Sequence, residues 1–445
     1  MAPLAILVTA PPSHSVLIVG AGLAGLATAY QLHQQGYQVT LLEYADWPDG
    51  FQANASDPAS ITLGCHQETT QVLKTFDQGQ RSISDQPIPL EFRLPTGKTV
   101  PYQSARLPGA FQWMMSFFSF QGLSWQDRWR LFSHVEQIWE QAETLPADLE
   151  NRTADEWLTA TGQSAEARER TWAPLAQWLT GNALARLSAA TFVQILSTVF
   201  LSDASDARLT HRSGTIAQRF LTPMKEILRN HVRFIPLAQP PHIRFRHDGI
   251  QDIRLHDGTT LQAGWYISAL SYQYLLRLLP ERFLTRYAYF AHLTELQSLS
   301  EIMVQLTVTQ TISPPPRLLL LAGKPFNYLT STPVGPHEIV VRLTGTETSL
   351  MGLGEDQMIE AAQAEMGRVF PEISRSDITS RQISRESYAA LLLAPGAARL
   401  RPLQQSPLPN LLVAGAWTDT GWPANVESAL VSARRCADII AGYRP

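Results

Sequence analysis

The sequence predicts an α/β fold, in which a doubly wound parallel sheet of Rossmann-like form carries a β-meander and is joined to a mixed α+β domain built from two insertions. Three observations support this prediction. Val16–Glu43 has the pattern strand, glycine turn, helix, strand. Two Asp-Gly pairs near residue 250 separate alternating runs typical of a meander. Asn410–Ile440 again reads as strand, glycine, loop and helix, and strands joined through helices pair in parallel.

The first of these segments, Val16–Glu43, contains both a strand pattern and a helix pattern. Val16–Val19 is an apolar run that ends at Gly20, and the helical spacing of apolar residues that follows stops at Gly36. The stretch "YQVTLLE" then has the character of a second strand. Strand, turn, helix and strand within about 30 residues form a βαβ unit.

In the middle of the chain the predicted secondary structure changes first to helices and then to strands. From Trp113 to Phe200 the spacing of apolar residues predicts amphipathic helices, one of which begins at a capping box, Thr153 to Glu156. Beyond His231, runs around Asp248-Gly249 and Asp257-Gly258 predict a three-stranded meander followed by the strand "GWYISAL". We therefore expect a cofactor-binding domain of residues 15–81, 212–270 and 385–445, and a substrate domain of residues 82–211 and 271–384.

Composition narrows the class of protein. Of 445 residues, 44% are hydrophobic and 17% charged, which is typical of a globular chain, and a net charge of −4 disfavours nucleic acid as a partner. Two cysteines, Cys65 and Cys436, cannot build a disulfide framework and favour a cytoplasmic setting. The leader "MAPLAILVTAPPSHS" lacks the basic start of a signal peptide. No apolar run reaches the ~18–20 residues of a membrane-spanning helix, so we expect a soluble or membrane-associated protein.

The turn "GAGLAG" supplies Gly20, Gly22 and Gly25 with the spacing of a dinucleotide-binding loop. The first glycine permits a tight turn, the second lets a pyrophosphate approach the backbone, and the third lets the helix pack closely on the strand. The helix start offers amide groups and the positive end of its dipole to the phosphates. Glu43 ends the next strand about 20 residues later, where a carboxylate binds the adenosine ribose. Because a carboxylate there repels a 2′-phosphate, NADP is disfavoured, and FAD and NAD remain.

The early glycine loop, the meander and the late strand-glycine-loop-helix unit together resemble the FAD-dependent amine oxidase and phytoene desaturase superfamily. Within it, the chain is most similar to the hydroxysqualene dehydroxylases of hopanoid biosynthesis, the squalene-associated FAD-dependent desaturases. The segments "ITLGCHQETTQVLKTF" and "TWAPLAQWLTGNALARLSAATFVQILSTVF" resemble parts of that family. The ending "WTDTGWPANVESALVSA" matches it at Trp417, Thr418, Thr420, Gly421, Pro423, Ala424 and Glu427.

The resemblance implies that the last unit folds back beside the first and that both contact one FAD. On the matching positions, it places contacts to the ribityl chain and the flavin ring at Gly415, Ala416, Asn425, Val426 and Glu427. It assigns no catalytic residue. The histidines show no metal-ligand spacing, so we predict no metal site.

Three positions depart from the family pattern. "DWPDGFQAN" (Asp46–Asn54) stands where the superfamily has Gly-Gly-Arg, Pro58–Ser60 replaces Gly-Gln-His, and Gly415-Ala416 replaces Gly-Asp. In the family that aspartate accepts a hydrogen bond from a ribityl hydroxyl, so the resemblance implies weakened FAD binding here. Asp419, farther along the loop, is the alternative carboxylate.

The resemblance implies an FAD-dependent oxidoreductase that acts on a long hydrophobic isoprenoid, with reductive dehydroxylation of hydroxysqualene to squalene as the first expectation. A carotenoid or other polyprenoid desaturase is one alternative, and a non-catalytic member that binds a lipid or a partner enzyme is another. The segment "FQWMMSFFSF" (Phe111–Phe120) is dense in aromatic residues and Met. Core packing, a tunnel for a hydrocarbon and peripheral contact with a membrane all stay open for it.

Overall fold

A computed structural model describes residues 14–44, 61–76, 86–103, 110–140, 148–203, 205–211, 214–246, 249–309, 317–323, 325–350 and 352–442. Two of the three departures from the family pattern, Asp46–Asn54 and Pro58–Ser60, lie outside the described residues, as do Asp248 and most of the leader. Among the helices that are described, none has the length and apolar character needed to cross a membrane.

The strands, in chain order, are β1 (Ser15–Val19), β2 (Gln38–Tyr44), β3 (Ile61–Leu63), β4 (Gln86–Ile88), β5 (Leu90–Arg93), β6 (Thr99–Tyr102), β7 (Leu209–His211), β8 (Arg233–Leu237), β9 (His242–Arg246), β10 (Gly249–Arg254), β11 (Thr260–Leu261), β12 (Trp265–Ser268), β13 (Ser298–Thr309), β14 (Arg317–Leu321), β15 (Tyr328–Gly335), β16 (Glu338–Thr346), β17 (Ile378–Leu391) and β18 (Leu411–Val413).

The helices are α1 (Leu23–Gln34), α2 (Gln67–Phe76), α3 (Ala110–Ser119), α4 (Trp125–Glu140), α5 (Ala154–Ala160), α6 (Ala165–Ala167), α7 (Ala173–Thr180), α8 (Ala189–Leu196), α9 (Thr222–Leu228), α10 (Tyr272–Leu278), α11 (Glu281–Arg286), α12 (Ala288–Ala291), α13 (Glu347–Leu350), α14 (Glu355–Val369) and α15 (Val426–Gly442). Short π-helical turns lie at Arg168–Trp172, Ser197–Leu201 and Ala217–Leu221.

The described residues form two compact units. The first comprises the described residues within Met1–Gln52, Ala217–Glu295 and Leu400–Pro445, and the second those within Ala53–Ile216 and Leu296–Arg399. The sequence predicts instead a cofactor-binding domain of residues 15–81, 212–270 and 385–445 and a substrate domain of residues 82–211 and 271–384. Those ranges stay a prediction.

A five-stranded parallel sheet forms the centre of the first unit, with the order β18-β12-β1-β2-β8. The prediction that Val16–Val19 and the late strand belong to one sheet is confirmed, because β12 pairs in parallel with both β1 and β18. Parallel sheets are covered on both faces, which explains why these strands are continuous apolar runs. Helices α1 and α15 pack against each other, and the Tyr37 hydroxyl donates to the Ile440 carbonyl at 3.2 Å. The observed sheet confirms the predicted α/β class.

The meander predicted in the first unit is present as a separate sheet, β11-β10-β9. Its second hairpin turns at Asp257-Gly258, where Gly258 has a φ of +86° that favours glycine. Arg244 donates to both oxygens of Asp252, at 2.7 and 2.6 Å, across β9 and β10. This fork neutralises a carboxylate that is fully buried.

The second unit is organised by a seven-stranded sheet with the order β17-β13-β16-β15-β14-β5-β6. Alternate residues of β13 and β16, with Leu329 of β15, form an apolar core with α14, a helix with two acidic residues in its first turn. The helices expected between Trp113 and Phe200 are α3 to α8, and the capping box of Thr153 and Glu156 is present at the start of α5. Both cysteines are free and buried, and burial raises the pKa of Cys436.

Asp127 anchors the first turn of α4 in the second unit and is only 2% exposed. Its carboxylate accepts hydrogen bonds from the Ser124 hydroxyl and from the Ser164 amide and hydroxyl. Burial by itself raises the pKa of Asp127, but these hydrogen bonds together outweigh it and hold the pKa below its usual value.

Candidate functional site

The candidate site lies at the carboxyl ends of the parallel strands in the first unit. From β1 the sheet continues to β2 and β8 on one side and to β12 and β18 on the other. In open parallel sheets the crevice at such a reversal of strand order is where ligands bind. The turns after β1, β12 and β18 therefore meet at the expected place.

The three glycines of the turn after β1 have different surroundings. Gly20 has a φ of +113°, and a Cβ there would lie 2.7 Å from the Ala269 carbonyl oxygen. A Cβ on Gly25 would lie 1.9 Å from the Gly20 oxygen, so the helix and the turn touch through backbone alone. A Cβ on Gly22 would meet no described atom within 4 Å. The open space beside Gly22 would let a pyrophosphate approach the backbone. The loop therefore suits a dinucleotide.

Helix α1 begins directly at this space. Gly22 is its N-cap and has no side chain to satisfy the first amides, and the helical ladder starts with the Leu26 amide donating to the Gly22 oxygen at 2.9 Å. The first turn contains no acidic residue. The amides ahead of that bond and the positive dipole end are thus available to an anion.

Glu43 lies near the carboxyl end of β2, with one-third of its side chain exposed (33%). Lys225 of α9 forms an ion pair with its carboxylate. Each carboxylate oxygen has lone pairs beyond the one that the ammonium takes, so Glu43 can still accept from ribose hydroxyls. The sequence alone does not predict the pairing of Glu43 with Lys225, because the two residues are far apart in the chain.

The loop after β18 is tied to the rest of the first unit at its start. The Gly415 amide donates to the Ser432 hydroxyl of α15 at 2.9 Å, and the Ala416 carbonyl accepts from the Ser428 hydroxyl at 2.8 Å. The Trp417 indole donates to the Leu270 carbonyl at 3.0 Å, just after β12. The beginning of this loop is therefore held next to the turn that follows β12.

The same loop ends at the start of α15. The Asn425 side chain accepts from the Ser428 amide at 2.9 Å, and the ladder begins with the Ala429 amide donating to the Asn425 oxygen at 3.1 Å. Val426 and Glu427 lie in the first turn, ahead of that bond, and Glu427 is 2% exposed. This arrangement aims a helix start at the same end of the sheet as α1, and a helix start favours negative charge.

Asp419, the alternative carboxylate, is turned toward its own loop. Its Oδ1 accepts from the Gly421 amide at 3.3 Å. Ala416 contributes only its backbone carbonyl to the contacts above. The loss of an acceptor for a ribityl hydroxyl at Ala416 stays a prediction. The alternative, that Asp419 supplies this acceptor, stays a prediction as well.

Two hydroxyls near the turn after β12 were missed by sequence reasoning. The Oγ atoms of Ser268 and Ser271 are buried and have no hydrogen-bond partner among the described residues. Buried hydroxyls normally find a partner, so orphaned ones at a ligand crevice fit the binding of a polar group. Their sequence signal is slight, because Ser268 ends a strand and Ser271 precedes a helix, where serine is ordinary.

The geometry of the described residues identifies no catalytic side chain in this site. Within the described ranges, no group of three or more His, Cys, Asp or Glu could hold a metal ion.

Comparison with known proteins adds the following. Residues 56–441 match the model of the family "Flavin containing amine oxidoreductase", and residues 18–50 match the NAD(P)-binding Rossmann-like domain. A zeta-carotene desaturase of Synechocystis sp. is 24% identical, with 96% of both chains covered. A 15-cis-phytoene desaturase of Glycine max is 21% identical over 96% of this chain and 79% of its own. The structure of a putrescine oxidase variant superposes with a TM-score of 0.73 at 14% identity, covering 97% of this chain and 99% of that one, which shows a shared fold.

Proposed function

The chain belongs to the flavin-containing amine oxidoreductase family and is an FAD-dependent oxidoreductase, and from this premise we propose that it exchanges a hydride with a long hydrophobic isoprenoid. The expected superfamily is thereby confirmed. The observation that carries the substrate class is likeness at nearly full length, 96% of both chains, to a zeta-carotene desaturase, whose name specifies a polyene substrate.

The reaction we place first is reductive dehydroxylation of hydroxysqualene to squalene. It is supported by the residues Trp417 to Glu427, which resemble the ending of that family. A hydride and a proton are consumed, the C–O bond breaks, and water leaves. Bound FAD, once reduced, would supply the hydride.

A desaturase is the second candidate, favoured by the names of the curated relatives. In that reaction a hydride would pass from the substrate to oxidised FAD, a proton would be lost to water, and a C=C bond forms. The same flavin site serves both reactions, so the candidates differ in the substrate and in the flavin redox state that starts the turnover.

The residues of this chain would bind and orient the cofactor. The Gly22 loop and the start of α1 would hold the pyrophosphate, and Glu43 would hold the ribose. Gly415, Ala416 and the start of α15, with Asn425, Val426 and Glu427, would face the ribityl chain and the flavin ring. The dipole of α15 would favour negative charge there.

A patch on α3 and α4 supports a lipid source for the substrate. Trp125 is 66% exposed, Trp129 is 57% exposed and Met115 is 46% exposed. The ring of Phe118 lies 5.6 Å from that of Trp125, and Phe132 lies 6.0 Å from Trp129. Exposed aromatic clusters of this kind mark contact surfaces, and Trp prefers the membrane–water interface. We assign this aromatic patch to peripheral membrane contact.

The reaction is tested with purified protein that has been saturated with FAD. Hydroxysqualene is supplied to the reduced form and zeta-carotene to the oxidised form, with Gly22→Val as the flavin-free control. Squalene from the first reaction supports dehydroxylation, and a polyene with one more double bond from the second supports desaturation. A flavin-loaded protein that converts neither refutes the isoprenoid proposal. A chain that binds no added FAD indicates the non-catalytic alternative.

Membrane contact is tested separately by flotation with phosphatidylglycerol–phosphatidylcholine vesicles. The double variant Trp125→Ser, Trp129→Ser is expected to lose most of the binding. Val334→Ser is the matched control, since Val334 is 55% exposed in the same unit but lies in β15. Equal flotation of wild type and double variant would rule out the patch as the contact.

A further inference from the structure

We propose that Arg401 is a positioning residue that shapes the loop after β18 for the flavin and sets the charge beneath it. The proposal rests on the proposed placement of the flavin contacts at Gly415 to Glu427. Arg401 lies just after the 3-10 turn Ala398–Leu400, outside every motif singled out in the sequence.

All three nitrogens of the Arg401 guanidinium donate to carbonyls of this one loop. Nη1 donates to Trp422 at 2.6 Å, and Nη2 donates to Ala416 at 3.1 Å and to Thr418 at 2.5 Å. Nε donates to Trp417 at 3.3 Å. A planar fork with fixed donor directions therefore holds both ends of the loop at a set separation.

The loop depends on side chains for its shape, because it belongs to neither a helix nor a sheet. Arg435 of α15 donates to the carbonyls of Asp419 and Thr420, at 2.7 and 3.3 Å. Every carbonyl from Ala416 to Thr420 thus accepts from Arg401 or Arg435. Buried carbonyls need such partners, so removal of Arg401 leaves several of them to find others by moving the loop.

The charge of Arg401 is the second part of its role. Burial lowers the pKa of Arg401 to about 10, while the nearby Asp419 carboxylate acts in the opposite direction. The guanidinium therefore stays protonated at neutral pH. Its carbonyl partners carry no net charge, so they do not cancel the positive charge beneath the loop; Asp419 is the carboxylate that offsets it, and what remains favours negative charge on a ligand above.

The test compares Arg401→Met, Arg401→Lys and the control Arg434→Met. Arg434 is an exposed arginine of α15 that pairs with Asp438. We expect Arg401→Met to bind FAD at least tenfold more weakly and to speed hydrogen exchange of residues 415–425 in the cofactor-free protein. We expect the reduction potential of its remaining bound flavin to fall. Arg401→Lys, which keeps the charge but not the fork, should recover the potential and only part of the affinity.

Each outcome is decisive. Arg401→Met with wild-type exchange in residues 415–425 overturns the shaping role, and an unchanged reduction potential overturns the electrostatic role. If Arg401→Met does not fold, Arg401→Lys with wild-type affinity and wild-type exchange overturns the need for the fork. A wild type that binds no FAD would overturn the proposed function along with this inference. Equal FAD affinity of the wild type and Arg401→Met would overturn this inference alone.

Discussion

Replacement of Gly22 by valine should abolish FAD binding while leaving the fold intact. A Cβ at this position meets no described atom within 4 Å, and its φ of −74° is allowed for any residue. Valine is a poorer N-cap than glycine, so we expect the free energy of unfolding to fall by no more than about 1 kcal/mol. The branched side chain would instead occupy the space that the pyrophosphate needs.

The size of the binding loss follows from the contacts that would be broken. If the phosphates lose two hydrogen bonds from the amides that start α1, each is worth roughly 1.5–3 kcal/mol because the acceptor is charged. The sum of about 3–6 kcal/mol corresponds to a dissociation constant raised roughly 10²- to 10⁴-fold.

The assay is titration of cofactor-free protein with FAD, followed by flavin fluorescence, together with thermal unfolding of both forms. Gly367→Val is the matched control, since Gly367 of α14 also faces open space but lies in the other unit. A Gly22→Val protein with wild-type FAD affinity would refute the assignment of this loop to the pyrophosphate.

Three further outcomes follow from the structure. Gly25→Ala should lower the free energy of unfolding by roughly 2–4 kcal/mol, since its Cβ would lie 1.9 Å from the Gly20 oxygen; an unchanged melting temperature would contradict the packing described. Ala416→Asp should tighten FAD binding about 10- to 100-fold, from a new charged acceptor, whereas a loss in Asp419→Ala with no gain in Ala416→Asp would transfer that role to Asp419. Asp127→Asn should cost about 1–2 kcal/mol at pH 7. The folded-state pKa of Asp127 is lowered, so this difference in unfolding free energy is complete above the ordinary carboxyl pKa of about 4 and should shrink as the pH falls through the folded-state pKa.

The sheet of the first unit could be predicted because its determinants are local. The apolar run of β1, the glycine turn and the helical spacing of α1 lie within one stretch, and β18 with α15 repeats the pattern. The turn at Gly258 is likewise predicted by a single dipeptide, Asp257-Gly258.

The remaining parts of the site depend on residues that meet only after folding. Lys225 reaches Glu43 from a helix that no motif connects to it, and Arg401 finds its carbonyl partners across an irregular loop. Neither has a spacing that marks it, since lysines are common on exposed helices and arginines are common in loops. Ser268 and Ser271 stand out because their buried hydroxyls have no hydrogen-bond partner within the described ranges, which is a property of the folded chain.

The position of β18 has a consequence for how the protein comes to hold its cofactor. This strand pairs only with β12 among the strands of its sheet, and it follows β1 after most of the chain has been made. Pairing across such a long separation is entropically slow, and during synthesis β12 is exposed as an edge strand until Leu411–Val413 arrives. On the proposed placement of the flavin contacts after β18, we expect cofactor binding to be completed only after synthesis of this strand, and free FAD to stabilise the paired late strand by mass action. Cells short of flavin should accumulate this protein as an incompletely closed, protease-sensitive species.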